Sequence, residues 1–463
     1  MKNTKISLIN PPWNSKYPQP PLGLASLAAI LEKEGYSPEI IDANALDLSA
    51  NTIAQNTIHS DIVVITAMTP SINIVIGLVK KIRELNADAT IVLGGAHPTI
   101  LPEDTLKKCD DIDIIVKGEG ETTILEIADS VEYDRHFSNI RGIFYRLNNT
   151  TQDNPPRELI TDLESLPFLA YHLLPLKKYK FHPPHGRKRP HMAMLTSRGC
   201  PYHCTFCSKS VFGSVLRYQS PKRIVNEIEY LHERFNVKEI AFYDDIFTLK
   251  KDRVYEFIRE LKERDLDIAW TCEARVNLVT PDLLEAMQKS GCYMVSYGIE
   301  SGNQQILNSL NKNITIHQVE EAIETTHRSG IESVGYFIIG SPGETPATIR
   351  ETIEFAKKLP LNYAQFAIAT PYPGTEFFEI YRKSGYSNPN WDDFIYASLS
   401  SSNRPVFEST ALTRTDLQEF NHQAYKEFYL RLSFIKDRLS GIHSVSDLTT
   451  AMKGAGMLVN MIR

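Results

Sequence analysis

Half of the six cysteines in this 463-residue chain fall within eight residues. Arg198-Gly-Cys-Pro-Tyr-His-Cys-Thr-Phe-Cys207 sets Cys200, Cys204 and Cys207 in a C-x3-C-x2-C spacing, while Cys109, Cys272 and Cys292 are scattered among apolar neighbours. Clustered thiols in a long chain argue for metal rather than for a disulfide framework. Thiolates suit iron, and a four-iron cluster normally takes about four of them. Three on one segment therefore leave one iron open to a substrate or cofactor. Zinc is the alternative. It needs a fourth ligand, and His203 sits inside the segment.

The elements that must position these thiols follow from hydrophobic periodicity. Strand-like runs stand at 5–9, 39–41, 62–66, 90–93 and 112–116, with helix patterns at 22–35 and 72–85. Alternation of this kind implies a doubly wound parallel sheet, with ligands beyond the carboxyl ends of its strands. Those ends carry Pro11-Pro12-Trp13, Thr66–Pro70 with Thr69, Gly94-Gly95-Ala96-His97-Pro98 and Lys117-Gly118-Glu119-Gly120-Glu121. A second series has strands at 192–196, 239–243, 268–271, 294–297, 333–339 and 364–369, with helices between them at 221–234, 251–264, 281–289, 316–329 and 345–358. Six β/α units read as a partial (β/α)6 barrel. The cysteine segment follows its first strand. The expected α/β organisation is a Rossmann-like domain over 1–130, a linker with a small hairpin over 131–190, the barrel over 191–380 and a helical region over 381–463.

The spacing, with Phe206 before the last cysteine, resembles the signature of the radical S-adenosylmethionine (SAM) superfamily. That resemblance implies a 4Fe-4S cluster whose open iron chelates SAM through its amino and carboxylate groups. One electron then cleaves SAM to methionine and a 5′-deoxyadenosyl radical, which abstracts a substrate hydrogen. It also implies SAM contacts at Phe206 and at the strand ends: Asp244 and Asp245 where the superfamily has Gly-Gly-Glu, Arg275, Glu300 in Ser296-Tyr-Gly-Ile-Glu-Ser301, and Gly340 in Gly335-Tyr-Phe-Ile-Ile-Gly340. Each has a plain structural alternative: a helix-capping Asp pair, an ordinary ion pair, a surface Glu and a turn glycine.

Asn10-Pro-Pro12, Pro21-Leu-Gly-Leu24, Gly94-Gly-Ala-His97 and Lys117-Gly-Glu-Gly-Glu121 make the first part of the chain similar to the cobalamin-binding domain of one radical SAM subgroup. That subgroup holds the anaerobic magnesium-protoporphyrin cyclase and the class B methylases. The resemblance implies cobalamin held by Pro12, Trp13, Thr69, Gly94, Gly95, His97, Gly118 and Glu119. The Asp-x-His-x-x-Gly motif that ligates cobalt in many cobalamin proteins is missing; after the first strand stands Asn10-Pro-Pro-Trp-Asn-Ser-Lys16. The implied reaction is cobalamin-dependent methylation of an unactivated carbon. Radical oxidation, cyclisation or ring rearrangement is the alternative, and a non-catalytic zinc-stabilised binding protein the alternative of a different class.

A net charge of −6 argues against a general nucleic-acid binder. No apolar run reaches the ~20 residues that span a bilayer, and the N-terminal stretch lacks a signal-peptide core, so a cytoplasmic enzyme is expected. Its partners would be a small-molecule or biosynthetic-intermediate substrate and an electron donor such as flavodoxin or ferredoxin. Phe420–Phe434 has the pattern of a packed amphipathic helix. Leu432–Arg463 mixes basic and apolar residues and is a candidate for peripheral contact with a membrane or lipid substrate.

Overall fold

The computed structural model describes residues 2–12, 17–133, 136–148, 150–180, 186–383, 390–394, 405–409, 411–432 and 434–436. The chain forms two compact units: Met1–His182 with Pro190–Pro201 and Ser208–Val237, and Pro183–Arg189 with Tyr202–Cys207 and Lys238–Arg463.

In the first unit β1 (Ile6–Asn10), β2 (Glu39–Asp42), β3 (Ile62–Thr66), β4 (Thr90–Gly94) and β5 (Ile114–Val116) pair in parallel in the order 2-1-3-4-5. They are nearly continuous apolar runs such as Ile62-Val-Val-Ile-Thr66, as expected of strands covered on both faces. Ile6, Leu8, Ile62, Val64 and Val92 pack against Leu24, Ala28 and Leu31 of helix Leu22–Lys33 and Ile124 and Ile127 of helix Glu121–Tyr133. The order reverses between β1 and β3, so their carboxyl ends, Asn10 and Thr66, flank the switch point where open sheets bind ligands. The small hairpin expected between 131 and 190 exists as β6 (Ile143–Leu147) and β7 (Thr150–Asp153), and it extends this same sheet by antiparallel pairing with β5. β8 (His191–Met194) leads to a short antiparallel pair, β9 (Ser197–Arg198) with β10 (Arg217–Tyr218).

In the second unit β11 (Glu239–Phe242), β12 (Ala269–Ala274), β13 (Cys292–Glu300), β14 (Glu332–Ile339) and β15 (Tyr363–Ile368) are parallel neighbours in sequence order. Helices Lys251–Glu263, Pro281–Lys289, Ile316–Arg328 and Pro346–Lys358 connect them. A sheet that does not close keeps an open edge strand, a liability for wrong pairing. Here helix Arg414–Tyr429 covers β15 with side chains that imitate a neighbouring strand. Tyr429 Oη accepts from Ala364 N at 3.2 Å and donates to its carbonyl at 2.8 Å; Asn421 Nδ2 donates to Phe366 O at 2.8 Å. Tyr425 Oη accepts from Phe366 N at 3.2 Å. The expected aromatic helix is therefore present over 414–429, as a packed lid on the edge. Of the basic tail 432–463, all but 432 and 434–436 lies outside the described residues. Among the described residues no helix is long and apolar enough to cross a membrane.

Replacing Tyr425 and Tyr429 together by Phe orphans β15 backbone groups, at about 1–3 kcal/mol for each buried group. The expected outcome is a thermal midpoint lowered by several degrees, with unchanged secondary structure by circular dichroism.

Candidate functional site

The cysteine segment is held by its surroundings. Ahead of Cys200, Gly199 has a φ of +84°, and a Cβ there would lie 2.4 Å from Val215 O. Only glycine fits such a position. Further along, Thr205 N donates to Leu310 O at 3.1 Å, Phe377 N donates to Thr205 O at 3.0 Å, and Asn311 Nδ2 donates to His203 O at 2.7 Å. Cys207 N donates to Cys204 O at 3.1 Å, a tight turn. Cys200 and Cys204 are half-buried and Cys207 is exposed, whereas Cys109, Cys272 and Cys292 are buried. Among the described residues no three His, Cys, Asp or Glu side chains already converge at metal-ligand distance, so the fit to a cluster rests on donor type and placement. Soft, accessible sulfur donors on an anchored loop suit iron. His203, the fourth ligand that zinc would have used, is exposed.

Around Cys204 lies a cationic layer. Arg275, at the end of β12, places Nη1 3.9 Å from Cys204 Sγ and its guanidinium 3.7 Å over the Tyr202 ring. Its Nη2 donates to the carbonyl of Lys312. Lys312 Nζ bonds Glu300 Oε1 at 2.6 Å, with both side chains under one-tenth exposed, and sits 5.7 Å over the Phe206 ring. Glu300 itself has a left-handed φ of +71°. A Cβ on Gly298 would come within 2.5 Å of Glu300 Oε1 and 2.7 Å of Lys312 Nζ, so the glycine of Tyr297-Gly-Ile-Glu300 makes room for the pair. Glu300 is thus buried and paired, not a surface Glu. Tyr202 and Lys312 were not among the expected residues; their contacts run between segments far apart in sequence.

Other expected residues land differently. Asp244 is fully buried, 3.8 Å from Arg253 Nη1, while Asp245 is exposed. Neither caps helix Lys251–Glu263, whose N-cap is Lys250. Gly340, at φ +91°, donates its N–H to Glu344 Oε2 at 2.5 Å and accepts from Tyr381 Oη at 3.0 Å. Both of its backbone groups are engaged within the chain, and a Cβ there would meet Leu417 at 2.6 Å. Glu273, absent from the expected set, lies on β12 with Tyr336 Oη at 3.3 Å, and burial pushes its carboxyl up to about 7.

In the first unit a cavity of about 190 Å3 opens at the carboxyl ends of β3, β4 and β5, lined in part by Thr66, Gly94, Gly95, Gly118 and Glu119. Gly95 has φ +104°, and a Cβ would sit 2.6 Å from Ala67 O, so strand β4 turns here in close backbone contact. His97 is wholly buried in helix Ala96–Ile100, and its Nδ1 pairs with Thr69 Oγ1 at 3.1 Å. Burial lowers its pKa to about 4. The histidine thus shapes the loop from within, and Thr69 is its partner. Pro12 is half-buried; Trp13 lies outside the described residues. Glu121, expected in a loop, begins helix Glu121–Tyr133. Glu119 and Glu121 are both buried: Arg198 reaches Glu119 at 2.7 Å and Glu121 at 2.5 Å, and Arg217 reaches Glu119 at 2.7 Å.

A doubly wound domain with a cavity at the carboxyl ends of β3, β4 and β5, followed in the same chain by three cysteines on one short segment and a parallel β/α series, suits a cofactor-dependent enzyme. Comparison with known proteins agrees. The Radical SAM superfamily profile matches residues 194–356, and that of the B12 binding domain residues 14–128. An uncharacterised methyltransferase of Pyrococcus horikoshii is 38% identical over 93% of this chain and 94% of its own length. Anaerobic magnesium-protoporphyrin IX monomethyl ester cyclase of Rubrivivax gelatinosus is 32% identical over 90% of this chain and 75% of its own. Among solved structures, the cobalamin-dependent SAM radical enzyme OxsB with aqua-cobalamin superposes at a TM-score of 0.73 with 17% identity, covering 99% of this chain and 72% of that one. TsrM of Kitasatospora setae, with cobalamin and a [4Fe-4S] cluster, gives 0.69 with 19% identity, covering 83% and 76%. These two share the fold, a cobalamin-type domain with a partial barrel. The chain belongs to the radical SAM enzymes that carry a B12-binding domain, and its cofactors are those of that family: a 4Fe-4S cluster, SAM and cobalamin.

The buried neutral His97 makes the protein acid-sensitive. Unfolded, the imidazole titrates near its ordinary value; folded, it resists a proton until about pH 4. Its contribution is full above the unfolded pKa of about 6.5 and is lost as pH falls toward 4, up to about 3 kcal/mol. His97→Asn is expected to flatten the fall in melting temperature of the cofactor-free protein between pH 7 and pH 5.

Proposed function

We propose that the protein methylates an unactivated carbon of a small-molecule or biosynthetic-intermediate substrate, with Cys200, Cys204 and Cys207 as the ligands of its cluster. When bound, the cluster and SAM supply a hydrogen-abstracting 5′-deoxyadenosyl radical, and cobalamin supplies a carrier for the methyl group. The observation that carries the reading is the anchored three-thiol segment in a chain that also holds a B12-binding domain.

The chain's own residues then divide the work. Backbone bonds from Leu310 and Phe377 hold the segment around Thr205. Arg275, stacked on Tyr202 beside Cys204, supplies fixed positive charge where thiolate charge gathers. Glu300 and Lys312 present a paired acceptor and donor beside Phe206, a polar set suited to SAM. Asp244 beside Arg253, and Gly340 bonded to Glu344 and Tyr381, brace the loops that follow their strands. The cavity-lining Gly94, Gly95 and Gly118, with Pro12, hold cobalamin, while Thr69 and His97 buttress that loop. A one-electron donor such as flavodoxin or ferredoxin and a cytoplasmic setting complete the proposal. Likeness to relatives named as methyltransferases favours methylation. Likeness to the cyclase favours a second reading, radical oxidation or cyclisation of the substrate.

Cys204→Ala is expected to reduce dithionite-driven cleavage of SAM to 5′-deoxyadenosine to background while cobalamin bound per chain is unchanged. Cleavage at the unmutated rate would refute the assignment. Product mass separates the two reaction readings: methylation adds one methyl group and yields S-adenosylhomocysteine alongside 5′-deoxyadenosine.

A further inference from the structure

We propose that Glu119, Glu121, Arg198 and Arg217 form a buried clamp that positions Cys200, so that the two glutamates, Glu119 after β5 and Glu121 at the start of helix Glu121–Tyr133, serve the cluster rather than cobalamin. The inference rests on Cys200 being a cluster ligand. Sequence placed Glu119 at cobalamin, yet both of its carboxylate oxygens are used. Oε1 meets Arg198 Nη1 at 2.7 Å; Oε2 meets Arg217 Nη1 at 2.7 Å and accepts from Ile160 N at 2.7 Å. Glu121 Oε1 takes Arg198 Nη2 at 2.5 Å and Ser26 Oγ at 2.8 Å. Arg217 also donates to Ile160 O at 2.7 Å and to Phe212 O at 2.8 Å.

The four side chains are 2–12% exposed, and their charges cancel. Such a network is not retained for stability alone, because apolar packing of equal volume commonly does as well. What it adds is a single geometry, set by forked arginine bonds that tolerate little displacement. The geometry is delivered to one place. Arg198 pairs with Arg217 in the β9–β10 ladder and is followed by Gly199, whose left-handed backbone packs on Val215 O, and then by Cys200. Clamp, ladder and glycine act in series on the arm that carries the first thiol. Glu119, Glu121, Arg198 and Arg217 are positioning residues in this account; none touches the reacting atoms.

The test uses anaerobically purified full-length protein as wild type, Arg198→Lys and Glu121→Gln. Three quantities are read: iron and sulfide per chain, the electron paramagnetic resonance signal of the reduced cluster with and without SAM, and hydroxocobalamin bound per chain. The clamp predicts cobalamin stoichiometry as in wild type, with iron and sulfide down severalfold or the SAM-dependent change in the signal lost. Variants that load iron and respond to SAM as wild type overturn it. So do variants that keep iron and lose cobalamin, which would return Glu119 to the cobalamin site. If the charge variants do not fold, Gly199→Ala leaves the charges intact but displaces the arm; it is expected to show the same cluster defect, and a normal cluster in it overturns the proposal. Wild type without iron would instead contradict the cysteine assignment itself.

Discussion

Cys200, Cys204 and Cys207 lie on one short segment with no helix or strand of its own, so their arrangement has to be imposed from outside. The chain meets this constraint with fixed backbone contacts. Gly199 lies against Val215 O, Thr205 is bonded on both sides by Leu310 and Phe377, and Asn311 takes the His203 carbonyl. Preorganisation of this kind places the cost of ordering the loop in folding, not in metal capture. Much of what surrounds the segment follows from it: Arg275 is oriented by the Lys312 carbonyl, Lys312 by Glu300, and Glu300 by the space Gly298 leaves.

The first unit solves a different problem with similar means. At the carboxyl end of β4, Gly95 at positive φ brings the backbone close against Ala67. His97 shows how chemistry can be spent on architecture. It is a potential metal ligand by type, yet it is buried, held neutral and bonded to Thr69.

The sheet strands and the long helices were legible in sequence because their periodicity is local; helix Ile72–Leu85 begins and ends where the pattern does. The cysteine segment was legible because three ligands sit in one short run. The helices Ala96–Ile100 and Pro102–Lys108 were hidden by Gly-Gly before them and by the prolines within, which read as loop. The Glu300–Lys312 pair and the partners of Glu119 were illegible for a different reason. Each joins segments whose proximity exists only after folding, 12 residues apart in the first case and 41 to 98 in the second. The residue type of Glu119 gave no sign that its oxygens were already committed.

Three cysteine ligands would leave one corner of the cluster for SAM. This is tested most directly by electron–nuclear double resonance on the reduced enzyme with SAM labelled by 15N at the amino group and 17O at the carboxylate. Hyperfine coupling of both labels to the cluster is expected, from atoms bonded to a single iron. A reduced cluster that shows no coupling to either label, with a fourth protein donor on that iron, would contradict it.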